Sequence, residues 1–365
     1  MLLEFFPSRG LTLYLARLFV VRILAVLVML VLILQTLDLL GESGKILAVP
    51  GNGQSDILRY MGFRVPQLIA MFLPYSVLLA TIITLASLNQ HSEVVAMKAA
   101  GLSAHQVLAP LFLVAGVVSV VSFAFNERVV TRSTATLKGW TAAEYKQVPP
   151  DSAVRSNVYL RDGPNILTAT TLSGSGAAIR MDGVTWYQRD AAGIVTRQIR
   201  SARATFANPG WRLDDAVQFD VPDTVAQPIG SIVLAKGVTP AQVEISKVDA
   251  DAQDVFTLRR SIDALKAAGR RTGELEGKWW HKFSGPLATL LMPLLGAVAA
   301  FGLARSGQLL IRAVIGMGLG FAYFVVDNAA LAMGNFGGYP PMVAAWAPFM
   351  LFALIGETVL IRTEE

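Results

Sequence analysis

Long apolar blocks occupy both ends of the chain, and a polar stretch with short-period alternation separates them. Ile23–Leu37, Val65–Leu88, Gln106–Phe125 and Phe283–Leu303 contain no charged residue; Ala313–Met333 contains only Asp327, and Pro341–Ile361 only Glu357. A helix needs about 20 mostly apolar residues to cross the hydrocarbon core, so these blocks predict six spanning helices. The first extends back past Arg22, whose long side chain can reach the interface. The spans fall three, then an insert, then three.

The insert alternates with period two. Gln218 and Asp220 separate Val217, Phe219 and Val221; Arg212 separates Trp211 and Leu213; Glu244 separates Val243 and Ile245. One apolar and one polar face mark half-buried antiparallel strands. Asp162-Gly163-Pro164, Ser173-Gly174-Ser175-Gly176, Asp182-Gly183, Ala192-Gly193 and Asn208-Pro209-Gly210 are turn signals. Many short strands between turns predict a sandwich, jellyroll or partial barrel. Leu258, Ile262 and Leu265 return to helical spacing, predicting a short helix over Leu258–Ala268 ended by Gly269.

Charge agrees with this division. Of the 57 charged residues, 38 fall in residues 126–282, although the whole chain is only 16% charged; a soluble domain carries about 25%. Lipid-embedded halves around a water-exposed insert follow, which excludes a soluble enzyme, a coiled coil and a disordered chain. The net charge of +5 is too even for a nucleic-acid partner. With no cysteine, disulfide, thiolate and Cys-bound metal chemistry are excluded. The first apolar run is too long for a cleavable signal and lacks a small-residue cleavage site.

An even number of spans puts both termini on one side. With the N-terminus inside, short inner segments hold Arg9, Arg17, Arg22, Lys98, Arg305, Arg312 and Arg362, whereas short outer loops hold Lys45, Arg59 and Arg64. This bias predicts cytoplasmic termini and an insert on the opposite side. The expected divisions are 1–127 for the first membrane half, 128–255 for the β-rich domain, 256–277 for a short helix and connector, and 278–365 for the second half.

No catalytic constellation is visible. His91, His105 and His281 form no metal-binding pattern, and neither a phosphate-binding loop nor a nucleophile elbow occurs; the expectation is no catalytic residue and no metal. Ser173–Gly176 reads as a hairpin loop. Asp327 and Glu357 are candidates because a charge inside a bilayer is costly. Asp327 is expected to face the bundle, hydrogen-bonded by Asn328 or Tyr323, and Glu357 to be solvated near Arg362. An intramembrane enzyme using Asp327 would need a second buried carboxylate, and Asp38 lies at the wrong depth. A membrane anchor displaying the β-domain is another alternative. Trp279-Trp280-His281-Lys282 reads as an interface belt.

The segment Gln90–Leu102 is the most informative. Ser92 is placed to cap a helix, Glu93 to sit in its first turn, Val94 and Met97 to share a face, and Gly101 to terminate it. A short helix at the cytoplasmic surface results. It serves either as a connector or as a docking helix whose exposed Glu93 meets an arginine of a partner.

Three spans, a β-rich insert and three spans, with Ser92-Glu93-Val94-Val95-Ala96-Met97-Lys98-Ala99-Ala100-Gly101 between spans two and three, resemble the lipopolysaccharide export permeases of the LptF/LptG family. Gly320–Asp327, Tyr339-Pro340-Pro341 and Trp280–Leu287 look closer to the LptG branch. The resemblance covers essentially the whole chain. It implies a multi-pass bacterial inner-membrane permease of an ABC transporter with a periplasmic jellyroll. The implied partners are an LptF-like permease, a dimeric LptB-type ATPase, LptC/LptA-type bridge proteins and lipopolysaccharide. ATP and magnesium belong to the ATPase, with no cofactor on this chain. Ser92, Glu93, Val94, Val95, Met97 and Gly101 become the ATPase-coupling helix, and spans one and five the lateral gates. Val217, Phe219 and Val221 become the lining of a lipid conduit. The family's lysines at the outer end of span one are absent, since Leu34–Glu42 contains no base. Lys45, Arg59 and Arg64 are the expected headgroup contacts instead.

Overall fold

The computed structural model describes residues 6–146, 155–174, 178–190, 192–221, 225–240, 243, 248–267, 270–301 and 309–364. They form two compact units, one of Met1–Gly41, Arg59–Thr134 and Ala250–Glu365, the other of Glu42–Leu58 and Ala135–Asp249.

The first unit is helical. In chain order the helices are α1 (Arg9–Leu47), α2 (Gln54–Gln90), α3 (Glu93–Ala99) and α4 (Ala104–Phe125), which runs through a π turn at Asn126–Val130 into α5 (Thr131–Ala142); the end of α1, the start of α2 and α5 from Ala135 on fall in the second unit. After the sheet come α6 (Val255–Ala267), α7 (Gly273–Phe301), α8 (Leu309–Asn335) and α9 (Pro341–Glu364). Among the described residues six helices are long and apolar enough to cross a membrane. Their shared core draws Leu15 and Phe19 from α1, Leu78 and Leu85 from α2, Leu108 and Leu111 from α4, Leu291 and Leu295 from α7, and Phe352 from α9. Lipid supplies no hydrophobic drive between helices, so small residues bring backbones close. Gly316 and Gly320 of α8 do this against α2: a Cβ on either would lie 2.3 Å from Ile82 or Leu78.

The second unit carries a six-stranded antiparallel sheet in sequential order. Its strands are β1 (Arg155–Asp162), β2 (Asn165–Ser173), β3 (Arg180–Arg189), β4 (Val195–Phe206), β5 (Trp211–Asp220) and β6 (Val225–Leu234). Directly paired residues share a face, so rows can be followed across the sheet. Leu160, Leu167, Trp186 and Ile199 make one row, buried throughout. The adjacent row, Tyr159, Thr168, Thr185, Arg200, Val217 and Pro228, lies on the opposite face. Trp211, fully buried, anchors the packed face and donates from Nε1 to the Val238 carbonyl at 2.9 Å.

Two local expectations change. Asp182-Gly183 is not a turn: it lies inside β3, and Gly183, at φ +62°, allows the Thr170 side chain of β2 into the space a Cβ would fill. Val243 donates its amide to the Thr239 carbonyl, a helical rather than a strand bond. The rest of the strand expected there, residues 244–247, lies outside the described residues, as do Gly269, Arg305 and the Ser175-Gly176 half of the glycine-rich loop.

Candidate functional site

The α3 segment is a seven-residue helix between α2 and α4. Helix α2 stops at Gln90, and Ser92, at φ +57°, reverses the chain. An N-cap side chain needs an extended backbone to reach the first-turn amides. Ser92 is left-handed instead and makes no side-chain cap, which corrects the expected role; its carbonyl accepts from Ala96 at 3.0 Å. At the other end Leu102 donates to Met97 at 3.1 Å and Gly101 to Lys98 at 3.0 Å. This is a Schellman closure, with Gly101 supplying the positive φ of +88°.

A capping box on α4 follows at once. Ser103 Oγ accepts from the Gln106 amide at 3.2 Å, and Gln106 Oε1 accepts from the Ser103 amide at 3.0 Å. The sequence carried this signal openly, as Ser-x-x-Gln before an apolar run. Val94 and Met97 point into the helical core beside Leu15, Phe19, Leu88 and Leu108, while Val95 is exposed.

Glu93 is not the free carboxylate expected. It is half-buried, and Tyr14 of α1 donates its hydroxyl to both carboxylate oxygens at 3.2 and 3.3 Å. Glu357 is likewise engaged rather than simply solvated: Nε2 of His105, at the start of α4, lies 2.9 Å from its Oε1. The start of α3 is thereby tied to the first span, and the start of α4 to the last.

The three candidate cations differ in commitment. Arg64 pairs with Asp38 through Nη2–Oδ1 at 3.0 Å and Nε–Oδ2 at 3.2 Å, reaches Gln67 at 2.9 Å, and shares Asp38 with the Tyr60 hydroxyl at 2.6 Å. It ties α1 to α2 through Asp38, which directly follows the apolar run Ile23–Leu37. Arg59 lies 6.0 Å over the Phe63 ring. Lys45 is exposed, pairs with Glu42 at 2.8 Å, and lines a cavity of about 620 Å³ with Thr141, Tyr145 and Lys146.

Asp327 is buried, 7% exposed. Its partner is neither Asn328, which donates to the Phe324 carbonyl, nor Tyr323; His281 of α7 lies 3.7 Å from Oδ2. Among the described residues Asp327 Oδ1 has no hydrogen-bond partner. His281, expected in the interface belt, is therefore turned toward α8. Among the described residues no group of three or more His, Asp or Glu is gathered for a metal.

Val217, Phe219 and Val221 are not on the packed face. Trp211, Leu213 and Ala216 are, because an irregularity at Asp215, φ +48°, inserts one residue and inverts the parity of β5 beyond it. Val217 and Val221 are consequently 40% and 42% exposed. The apolar interior belongs to Leu160, Leu167, Trp186 and Ile199.

Comparison with known proteins agrees with this architecture. The chain is 25% identical to the lipopolysaccharide export system permease protein LptG of Escherichia coli strain K12 over 321 residues, covering 86% of this chain and 88% of that protein. The LptG protein of Haemophilus influenzae is 21% identical over 322 residues, covering 86% and 89%. Residues 13–362 match the family described as lipopolysaccharide export system permease LptF/LptG. The chain belongs to that family.

Proposed function

We propose that the chain is the LptG-like membrane subunit of an ATP-driven exporter that lifts lipopolysaccharide out of the bacterial inner membrane and hands it to a periplasmic bridge of LptC/LptA type. It pairs with an LptF-like permease. ATP and magnesium are held by a dimeric LptB-type ATPase, so hydrolysis occurs off this chain. The termini and α3 face the cytoplasm, and the sheet faces the periplasm.

The observation that carries this reading is α3. Val94 and Met97 are locked into the core of the spans, while Val95 and the Tyr14–Glu93 pair stand at its surface. A push on this face bears on α1, α2 and α4 through the packed Val94 and Met97 and the Tyr14–Glu93 bond. Lys45 and Lys146, around the 620 Å³ cavity, pair with Glu42 and Glu144 at 2.8 and 2.9 Å in exposed contacts that yield to a lipid phosphate more readily than the better shielded Arg64–Asp38 pair. Acyl chains follow the face of the sheet bearing Trp186 and Ile199.

The test is co-purification with the ATPase and ATP-driven lipid release. Losing one member of a partly buried charge pair at an interface costs about 2–5 kcal/mol. Glu93→Lys is expected to abolish ATPase capture or uncouple hydrolysis from release; a fully active, normally assembled Glu93→Lys complex refutes the docking role. A photo-crosslinker at Trp186 captures lipopolysaccharide only with ATP, whereas one at Phe219 does not.

A further inference from the structure

Helix α6 has a surface that the export reading does not use, and its depth relative to the membrane can be worked out. The uncharged part of α7 begins at Phe283, which stacks on Phe123, near the end of the uncharged part of α4, with ring centroids 5.7 Å apart. Two helices thus mark the same edge of the hydrocarbon layer. Trp279 lies four residues above that edge, roughly 6 Å along the helix axis, where aromatic belts sit.

The N-terminus of α6 is fastened at this level. The Val255 carbonyl accepts from Trp279 Nε1 at 3.1 Å, and its amide donates to Glu127 Oε2 at 2.5 Å. Glu127 also holds Lys282 at 3.0 Å. Near the far end of α6, Lys266 pairs with Glu276 at 3.0 Å. From Trp279 to Glu276 α7 rises roughly 4.5 Å, whereas Val255 to Lys266 spans roughly 16 Å of α6. Both ends of α6 are thus held to Glu276–Trp279 of α7, just above the hydrocarbon edge and at the level of the headgroup layer.

Its two faces are distinct. Val255, Leu258, Ile262 and Leu265 are buried. The opposite face carries Phe256, 76% exposed, with Arg260 one turn on and Ala267 beyond. Asp263, also on this side, is neutralised by Arg259, which stacks 5.4 Å from the Trp279 ring. Arg260 has no partner among the described residues. An exposed aromatic beside an uncompensated cation, held at headgroup depth, is the pattern of an interfacial helix.

We propose that the Phe256–Arg260 face of α6 is a docking surface for anionic phospholipid, with Phe256 dipping toward the acyl chains and Arg260 on a headgroup phosphate. The inference stands on the depth and charge of α6 and is independent of lipopolysaccharide export.

The absence of native cysteine makes the test direct. Phe256→Cys, labelled with an environment-sensitive dye, is placed as the full chain in nanodiscs of phosphatidylethanolamine and phosphatidylglycerol. The expected result is blue-shifted emission and an about twofold loss of intensity when the acyl chains are brominated, as for a side chain buried at the acyl boundary. Arg260→Gln is expected to remove the difference between these nanodiscs and ones of phosphatidylcholine alone. Emission typical of water overturns the proposal. So does a shielded dye that brominated lipid does not quench, which assigns the face to a protein partner. If Phe256→Cys does not fold, Ala267→Cys on the same face gives the same reading. Export activity, measured separately, does not bear on the outcome.

Discussion

Substituting Asp38 distinguishes a structural from a lipid-binding role for Arg64. Asp38 accepts from Tyr60 at 2.6 Å and from two Arg64 nitrogens at 3.0 and 3.2 Å, and the two charged side chains are 20% and 33% exposed. Hydrogen bonds to charged groups contribute about 1.5–3 kcal/mol each when shielded, and fully exposed pairs about 1 kcal/mol or less. This partly shielded pair falls between, giving an Asp38–Arg64 coupling of about 1–2 kcal/mol. Loss of the Tyr60 bond brings Asp38→Ala to about 2–3 kcal/mol, with Asp38→Asn near half of that. The assay is unfolding in mixed micelles for Asp38→Asn, Arg64→Gln and the double variant, alongside lipid-stimulated ATPase activity of the assembled complex. If the pair is a tie between α1 and α2, the two single variants lose stability and activity in parallel and the double is no worse than either. If Arg64 instead served a lipid phosphate, Asp38→Asn would free it and raise lipid stimulation. That outcome, or a coupling below about 0.3 kcal/mol, shows that the pair is not a tie between the two helices.

Three further outcomes are expected. His281→Leu leaves the buried Asp327 carboxylate unpaired and is expected to cost about 2–3 kcal/mol in thermal unfolding, most of it recovered by adding Asp327→Leu, since replacing both partners with apolar groups is nearly neutral; no recovery in the double variant refutes the pairing. Gly316→Ala drives a Cβ to 2.3 Å from Ile82 and 3.1 Å from Ala299 and is expected to cost about 1–3 kcal/mol, whereas Gly318→Ala, with open space around it, is neutral; equal effects remove the close-approach argument. Asp254 caps α6 through the Phe256 and Thr257 amides, and those bonds, led by Thr257, hold its carboxyl below the ordinary value. A lowered folded-state pKa means the contribution, about 1 kcal/mol, is complete above the ordinary carboxylate value and fades as pH falls through the lowered one. Amide exchange at the start of α6 should accelerate there, and Asp254→Asn should lose that pH dependence.

The spans were legible because twenty apolar residues admit almost no other structure in lipid, and Asp162-Gly163-Pro164 and Asn208-Pro209-Gly210 turned where expected because Gly and Pro act locally. Strand parity failed at one place for a specific reason. Trp211 and Leu213 announce one phase and Val217, Phe219 and Val221 another that looks continuous with it, yet Asp214-Asp215 supplies the extra residue between them. Two successive polar residues in an alternating strand were the available sign. With Ser201 Oγ lying against the Asp214 carbonyl, the irregularity is held by a partner on the neighbouring strand, which no reading along one strand could supply.

The site was legible in position but not in state. Spacing placed Glu93 in the first turn of a helix between two spans, and Val94 and Met97 on its inner face, because those relations are local. What each charge does was decided by residues far away in sequence: Tyr14 for Glu93, His105 for Glu357, His281 for Asp327, Arg64 for Asp38. Of these four contacts three join two spanning helices, and the fourth joins α3 to the first span. A carboxylate near lipid cannot stay unpaired without cost, so each one fastens a pair of elements. Tyr14–Glu93 binds α3 to α1, and Arg64–Asp38 binds α1 to α2. The first span is thus held near both of its ends by polar contacts to neighbouring elements, in addition to its apolar packing.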